Sequence, residues 1–159
     1  KRVVYEIQEE LPHIKNFGTL SPIPGFTDWL RYVEEPKIKN ILTSFKNQDV
    51  SFLKSQDLKL GDSRIIENKE AIKKLVAHYI VNEKNQQGLP MNDVTRFHLG
   101  NGAIVEDIVI NANISEQGFK GSYGVMVNYL YELNNIEKNH EDYMNNNKVI
   151  VSDKIKKYL

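Results

Sequence analysis

Phe17-Gly18-Thr19-Leu20-Ser21-Pro22-Ile23-Pro24-Gly25-Phe26 is the stretch around which the chain is organised. Phe17 to Leu20 reads as a short strand leading into Ser21. Pro22 and Pro24 fix their own φ and hold Ser21 and Ile23 extended, so neither a helix nor a central strand crosses them. Gly25 permits a sharp change of direction. Beyond it, Phe26, Trp29, Leu30 and Val33 share one face of a helix that starts at the proline corner and runs to Glu34. Trp29 is expected in the core. A strand that delivers one hydroxyl to a rigid corner, with a helix leaving it, belongs to a layered α+β or α/β fold.

Working outward, residues 1–11 place Val3, Val4, Ile7 and Leu11 at helical spacing, and Pro12 ends that helix. Residues 36–62 are lysine-rich and weakly patterned, with short helices and an irregular join expected. Asn68 to Asn85 is the strongest helix, with Ile72, Leu75, Val76, Tyr79 and Ile80 as its apolar stripe and Gly88-Leu89-Pro90 as its stop. Asn92 or Asp93 can cap a short helix carrying Val94, Phe97 and His98, which Gly100 and Gly102 end. Ile104–Ile110 is rich in β-branched residues and reads as a strand. Residues 111–122 read as a loop. Val125, Val127, Tyr129 and Tyr131 alternate with Asn128 on the opposite face, as in a strand. Asparagine-rich, charged residues 134–147 read as a solvated or mobile insertion, and 148–159 as a last strand near Val149–Val151 followed by a basic helix.

Composition bounds the function. The 159 residues fit one domain with one sizeable core. With 21 basic and 21 acidic residues the net charge is zero, so no overall field favours nucleic acid or an anionic membrane. The absence of cysteine excludes disulfides, thiolate zinc sites and cysteine catalysis. The four histidines are not paired as in a zinc helix, and no apolar run approaches the roughly 18 residues that span a bilayer. His13 and His140 read as exposed, and His78 as packed within its helix. The chain begins mid-pattern at Lys1-Arg2-Val3-Val4, which predicts a piece of a longer protein.

Ser21, His98 and Tyr131 each lie near the end of a predicted element. Each also has an ordinary reading: a capping hydroxyl, a histidine bonded to a carbonyl, and a half-buried strand tyrosine. The strained Gly-x-Ser-x-Gly elbow is absent around Ser21, so a hydrolytic triad is a poor fit. Gly100-Asn101-Gly102 and Gly118-Phe119-Lys120-Gly121 lack the setting of a phosphate loop and read as turns.

Phe17 to Phe26 with Trp29-Leu30, Ala77 to Lys84, Arg96-Phe97-His98-Leu99-Gly100-Asn101-Gly102-Ala103, and Gly121 to Tyr131 together resemble the malonyl-CoA decarboxylase family, in family order over residues 1–133. The resemblance implies part of a C-terminal catalytic domain with an acetyltransferase-like (GNAT) fold, a mixed sheet flanked by helices. A helical insertion would span about 34–88, and the mobile one about 134–147. Helix 1–11 would turn its N-terminus toward the coenzyme A pyrophosphate. A helical N-terminal domain, the first strands and a catalytic glutamate would precede Lys1. By resemblance Ser21 is a catalytic serine, His98 a catalytic histidine and Tyr131 an active-site tyrosine, with Asn101 helping to position substrate. Two departures from the family pattern stand out: its Asn-Trp pair falls at Val109-Ile110, and its later Asp at Asn113.

The implied activity is decarboxylation of malonyl-CoA to acetyl-CoA and carbon dioxide. Ser21 would orient the carboxylate, His98 would protonate the enolate carbon, and Tyr131 would stabilise charge on oxygen. The thioester is the electron sink, so no metal, biotin or pyridoxal cofactor is called for. Two alternatives stay open: an acyl-CoA-dependent acyltransferase on the same fold, and a degenerate acyl-CoA-binding module motivated by Val109-Ile110 and Asn113. The isolated chain is expected to have little activity. The expected partner is an acyl-CoA substrate, with no nucleic acid and no membrane span, in a homo-oligomeric full-length protein. The resemblance implies an intracellular compartment (cytoplasmic, mitochondrial or peroxisomal) without choosing among them.

Overall fold

A computed structural model describes residues 2–45 and 47–159, with side chains described from Tyr5 onward. The first helix, α1 (Arg2–Glu10), precedes strand β1 (Asn16–Ser21), and helix α2 (Phe26–Tyr32) leaves the proline corner. The expected inward placement of Val3 and Val4 lies outside the described side chains. Leu11, expected to face inward with them, is exposed. Gly25, at φ 87°, is the N-cap of α2, so the helix starts two residues after Pro24. A side chain is excluded there by the left-handed backbone and by the Tyr79 hydroxyl, 3.0 Å from where a Cβ would lie.

The fold is α+β, built on a three-stranded sheet of order β1-β3-β2, with β2 spanning Ile104–Val109 and β3 Met126–Glu132. Both pairings are antiparallel, and the sheet's one parallel element is an isolated bridge between Val105 and Val151. The strand expected at 149–151 is reduced to that bridge. On β3, Val127, Tyr129 and Tyr131 are buried while the residues between them are half-buried, as the alternation predicts. The register sets Phe17 opposite Tyr131, Thr19 opposite Tyr129 and Ser21 opposite Val127. These six residues therefore share the inner face.

Two short elements occupy the lysine-rich region, helix α3 (Glu35–Ile41) and a 3-10 turn at Ser51–Lys54, and helix α4 (Ser63–Glu67) follows it. Helix α5 (Lys69–Val81) buries Ile72, Leu75, Val76, Tyr79 and Ile80 as expected, together with Ala71, Ala77 and Val81. It ends at Val81, before Gly88, because residues 84–90 fold back through a bridge between Lys84 and Pro90. Phe26 is fully buried among the rings of Trp29, Tyr79 and Tyr123, with centroids 5.7–6.5 Å away; burial of such a ring stabilises by about 1.5–3 kcal/mol. Trp29 is half-buried at the edge of this cluster, its indole 5.9 Å from the His78 ring. His78 itself bonds Glu83 Oε1 at 2.8 Å.

Two segments read as loops are helical. Residues 116–122 form α7 (Glu116–Ser122), because Ser115 Oγ accepts from the Gly118 N–H at 3.0 Å and caps the first turn. The flexibility of glycine suggested a loop, but close packing explains Gly118: a Cβ there would lie 2.1 Å from Asn113. Residues 136–146 form α8 (Ile136–Asn146), preceded by a short 3-10 turn. Its asparagines concealed a packing face: Ile136, Asn139 and Tyr143 are buried at helical spacing. Asn139 Nδ2 donates to Gly102 O at 3.3 Å, and His140 Nδ1 donates to Gly100 O at 2.7 Å. His140 is thus half-buried and bonded, whereas His13 is exposed as read. Tyr5 of α1 donates its hydroxyl to Glu137 of α8. Helix α6 (Asp93–Gly100) lies between α5 and β2 in the chain, and α9 (Asp153–Lys156) closes it. Among the described residues no helix is long and apolar enough to cross a membrane.

Gly102 joins α6 to β2 at φ +89°, and a Cβ there would lie 2.5 Å from the Ile136 carbonyl oxygen. Gly61 has a similar φ of +82° with open space around it. Gly102→Ala is expected to cost about 2–4 kcal/mol from the left-handed backbone plus displacement of α8. Gly61→Ala meets the backbone penalty alone, about 1–2 kcal/mol. Urea midpoints of the two variants check this, and equal losses would show that the Ile136 contact does not constrain Gly102.

Candidate active site

Ser21 ends β1 on the inner face of the sheet and is 7% exposed. The next residue, Pro22, supplies no N–H, so the strand pairing stops there and the backbone turns away while the hydroxyl stays aimed inward. Its Oγ lies 3.0 Å from His98 Nε2. The reading of Ser21 as a helix cap does not apply, because Gly25 occupies the cap position of α2 without any side-chain bond. Thr19, two residues earlier on the same face, brings its Oγ1 to 3.1 Å from Ser21 Oγ.

His98 comes from the last turn of α6, which Asn92 caps by accepting from the Thr95 N–H at 3.0 Å. Phe97, on the same helix, points outward and is exposed. Neither ring nitrogen of His98 bonds a carbonyl. Nε2 meets Ser21, and Nδ1 lies 2.7 Å from the Tyr131 hydroxyl. Tyr131 in turn stacks on Phe17, centroids 5.0 Å apart, as the strand register requires. The structure therefore joins Ser21, His98 and Tyr131 in one hydroxyl–imidazole–phenol chain. Asn101 is placed otherwise. It is the C-cap of α6, and its Nδ2 donates to Phe97 O at 2.8 Å.

Burial sets the protonation states. Desolvation lowers the pKa of His98 below its ordinary value of 6.5, because the imidazolium loses hydration that two neutral hydroxyls do not replace. The imidazole is therefore neutral at pH 7. Burial pushes Tyr131 up to about 12, so it remains a phenol. In a serine–histidine–acid triad a carboxylate faces Nδ1 and stabilises the imidazolium; here a neutral phenol holds that position. This arrangement handles protons at His98 but is poorly suited to making a serine alkoxide.

Several residues of the site were not singled out from sequence. Thr19 and Tyr129 lie two positions before Ser21 and Tyr131, so strand alternation was a usable signal for both. The Tyr129 ring stacks beneath His98, with centroids 4.3 Å apart and planes 18° apart. Thr95, one turn before His98 on α6, bonds the Tyr129 hydroxyl at 2.7 Å. Of the departures from the family pattern, Val109 ends β2 opposite Met126. Asn113 Oδ1 accepts from the N–H and the hydroxyl of Ser115 at the entry to α7.

The Malonyl-CoA decarboxylase C-terminal domain family matches residues 1–159. The mitochondrial malonyl-CoA decarboxylase of Anser anser anser is 31% identical over 177 residues, covering 100% of this chain and 35% of the relative. That of Mus musculus is 32% identical over 173 residues, covering 98% of the chain and again 35% of the relative. The chain thus spans 35% of the length of these curated relatives. The crystal structure of malonyl-CoA decarboxylase from Cupriavidus metallidurans superposes with a TM-score of 0.80 at 34% identity, over 99% of this chain and 42% of that one. The enzyme from Rhodopseudomonas palustris gives 0.79 at 32% identity, over 99% and 36%. With its whole length matched, in sequence and in structure, this chain belongs to the malonyl-CoA decarboxylase C-terminal domain family.

Proposed function

We propose that the chain carries the decarboxylation site of a malonyl-CoA decarboxylase, with Ser21, His98 and Tyr131 as its working residues. The observation that supports this most is the buried imidazole held between two hydroxyls in a member of that family. Loss of carbon dioxide from a malonyl thioester sends the bond's electron pair into the thioester carbonyl and leaves an enolate. One proton must then be delivered to carbon, and acetyl-CoA results. The Ser21 hydroxyl orients the carboxylate so that the breaking bond stands perpendicular to the carbonyl plane.

His98 supplies the proton. Its imidazole is neutral at pH 7, but an anionic carboxylate arriving nearby favours the imidazolium. Substrate binding therefore charges the acid that the reaction consumes. Tyr131, whose hydroxyl is engaged at Nδ1, holds the ring from its far side and accepts from Nδ1–H once the imidazolium forms. Accepting there leaves the phenol's own O–H free to donate toward charge developing on the enolate oxygen. The thioester carbonyl is the electron sink, so the reading calls for no cofactor.

In the intact protein, His98→Gln is expected to lower kcat by about 10²- to 10⁴-fold, the usual loss of a general acid. Ser21→Ala should cost roughly 10- to 100-fold through lost orientation. The assay follows acetyl-CoA and carbon dioxide from malonyl-CoA without an acceptor. Near-normal turnover by either folded variant would overturn the assignment, and acyl transfer to an added amine in place of carbon dioxide release would favour an acyltransferase.

The lowered pKa of His98 also predicts a pH signature. The protonated ring is the reactive form, and kcat/KM reports the free enzyme whereas kcat reports the complex. As pH rises, kcat/KM is expected to fall through a value below 6.5. The fall in kcat should come at higher pH, because the bound carboxylate raises the ring's pKa. Coincident profiles would show that substrate does not charge His98.

A further inference from the structure

The ring of His98 must be held at one rotation for its two nitrogens to reach Ser21 and Tyr131 together, and neither hydroxyl does this alone. Beneath the ring lies Tyr129, fully buried and stacked on it. The Tyr129 hydroxyl lies 2.7 Å from Thr95 Oγ1, which in turn lies 3.3 Å from Asn92 Oδ1. Asn92 Nδ2 donates to the Pro24 carbonyl at 2.8 Å. Asn92 and Thr95 are 2% and 0% exposed.

The direction of these bonds follows from chemistry. Pro24 O is an acceptor, so the amide nitrogen of Asn92 faces it and Oδ1 faces α6. Oδ1 accepts from Thr95 N and from the Thr95 hydroxyl. Having donated its one proton, that hydroxyl must accept from Tyr129. The chain therefore runs one way, from Tyr129 O–H through Thr95 and Asn92 to Pro24, three residues beyond Ser21. We infer that Tyr129, Thr95 and Asn92 are positioning residues for the Ser21–His98 pair, tying the ring of His98 to the proline corner that carries Ser21. As a statement about catalysis this rests on the proposed decarboxylation.

The test uses the intact protein with Thr95→Val, Thr95→Ser, Tyr129→Phe and the Thr95→Val/Tyr129→Phe double variant. Valine matches threonine in shape but breaks the chain, serine keeps the hydroxyl, and phenylalanine keeps the stacked ring. Thr95→Val is expected to lower kcat roughly tenfold, the scale of a small misplacement, with KM within about twofold. Thr95→Ser should restore most of it, and the double variant should be no worse than Thr95→Val because both changes break one chain. The ring-nitrogen NMR shifts of His98, recorded at one pH with 15N-labelled histidine, should move in Thr95→Val and return in Thr95→Ser. The inference is overturned if Thr95→Val keeps wild-type kcat, loses activity only in proportion to folded protein, or leaves the ring-nitrogen shifts unchanged. If the wild-type protein does not turn over malonyl-CoA, the proposed function fails, and the ring-nitrogen shifts alone decide the positioning role.

Discussion

The pairing of β1 with β3 is the constraint on which the rest depends. Its register puts Ser21 opposite Val127 and Tyr131 opposite Phe17, so the two hydroxyl residues sit on one face but four rungs apart. At about 3.3 Å per residue that is roughly 13 Å along the ladder, far beyond a direct hydrogen bond. A planar group with a hydrogen-bonding atom at each end can join them if it lies on the sheet between the two rungs. His98 does this above Tyr129. A slip of one residue would turn the inner residues of β1 to the opposite face and leave His98 Nε2 facing a leucine.

Placing an imidazole there is costly unless every polar atom around it is satisfied. No buried side-chain nitrogen or oxygen among the described residues lacks a partner. Ser21, Thr19, His98 and Tyr131 answer one another on one side of the ring. Tyr129, Thr95 and Asn92 do so on the other. The observed placement of α6 satisfies both sets, and the turn after α6 is also held by α8 packing over Gly102 and Gly100. The apolar core built on α5 and Phe26 supplies the bulk of the burial, whereas the polar groups decide which arrangement is adopted.

The three strands of the sheet, α5 and a cap at Asn92 or Asp93 were legible because each is encoded locally, by alternation, by a helical stripe or by a capping side chain. The two missed helices were hidden by their composition. The glycines of α7 obscured a local cap at Ser115, whereas the asparagines of α8 carry weak local preferences and tertiary contacts with Gly100 and Gly102 decide its conformation. Ser21, His98 and Tyr131 were named through the motifs around them. Residue types alone left each with an ordinary structural reading. Tyr129 shared the alternation of Tyr131, but its pairing with Thr95 depends on how α6 crosses the sheet, and no periodicity contains that.

The phenol at Nδ1 suits the proposed chemistry better than the carboxylate of a hydrolytic triad would. A carboxylate there would raise the pKa of His98 whether or not substrate is bound and would place a fixed negative charge beside the position proposed for the malonyl carboxylate. Like charges in a desolvated pocket repel strongly. Tyr131, kept protonated by burial, adds no charge at Nδ1, so in the proposed reaction the substrate's own anion would draw a proton onto the ring. In that reading the enolate carbon would take the proton once carbon dioxide has left, and the ring would return to its neutral form. None of the groups bonded to or stacked on the ring, Ser21, Tyr131 and Tyr129, then brings a standing charge to compete with the substrate's own.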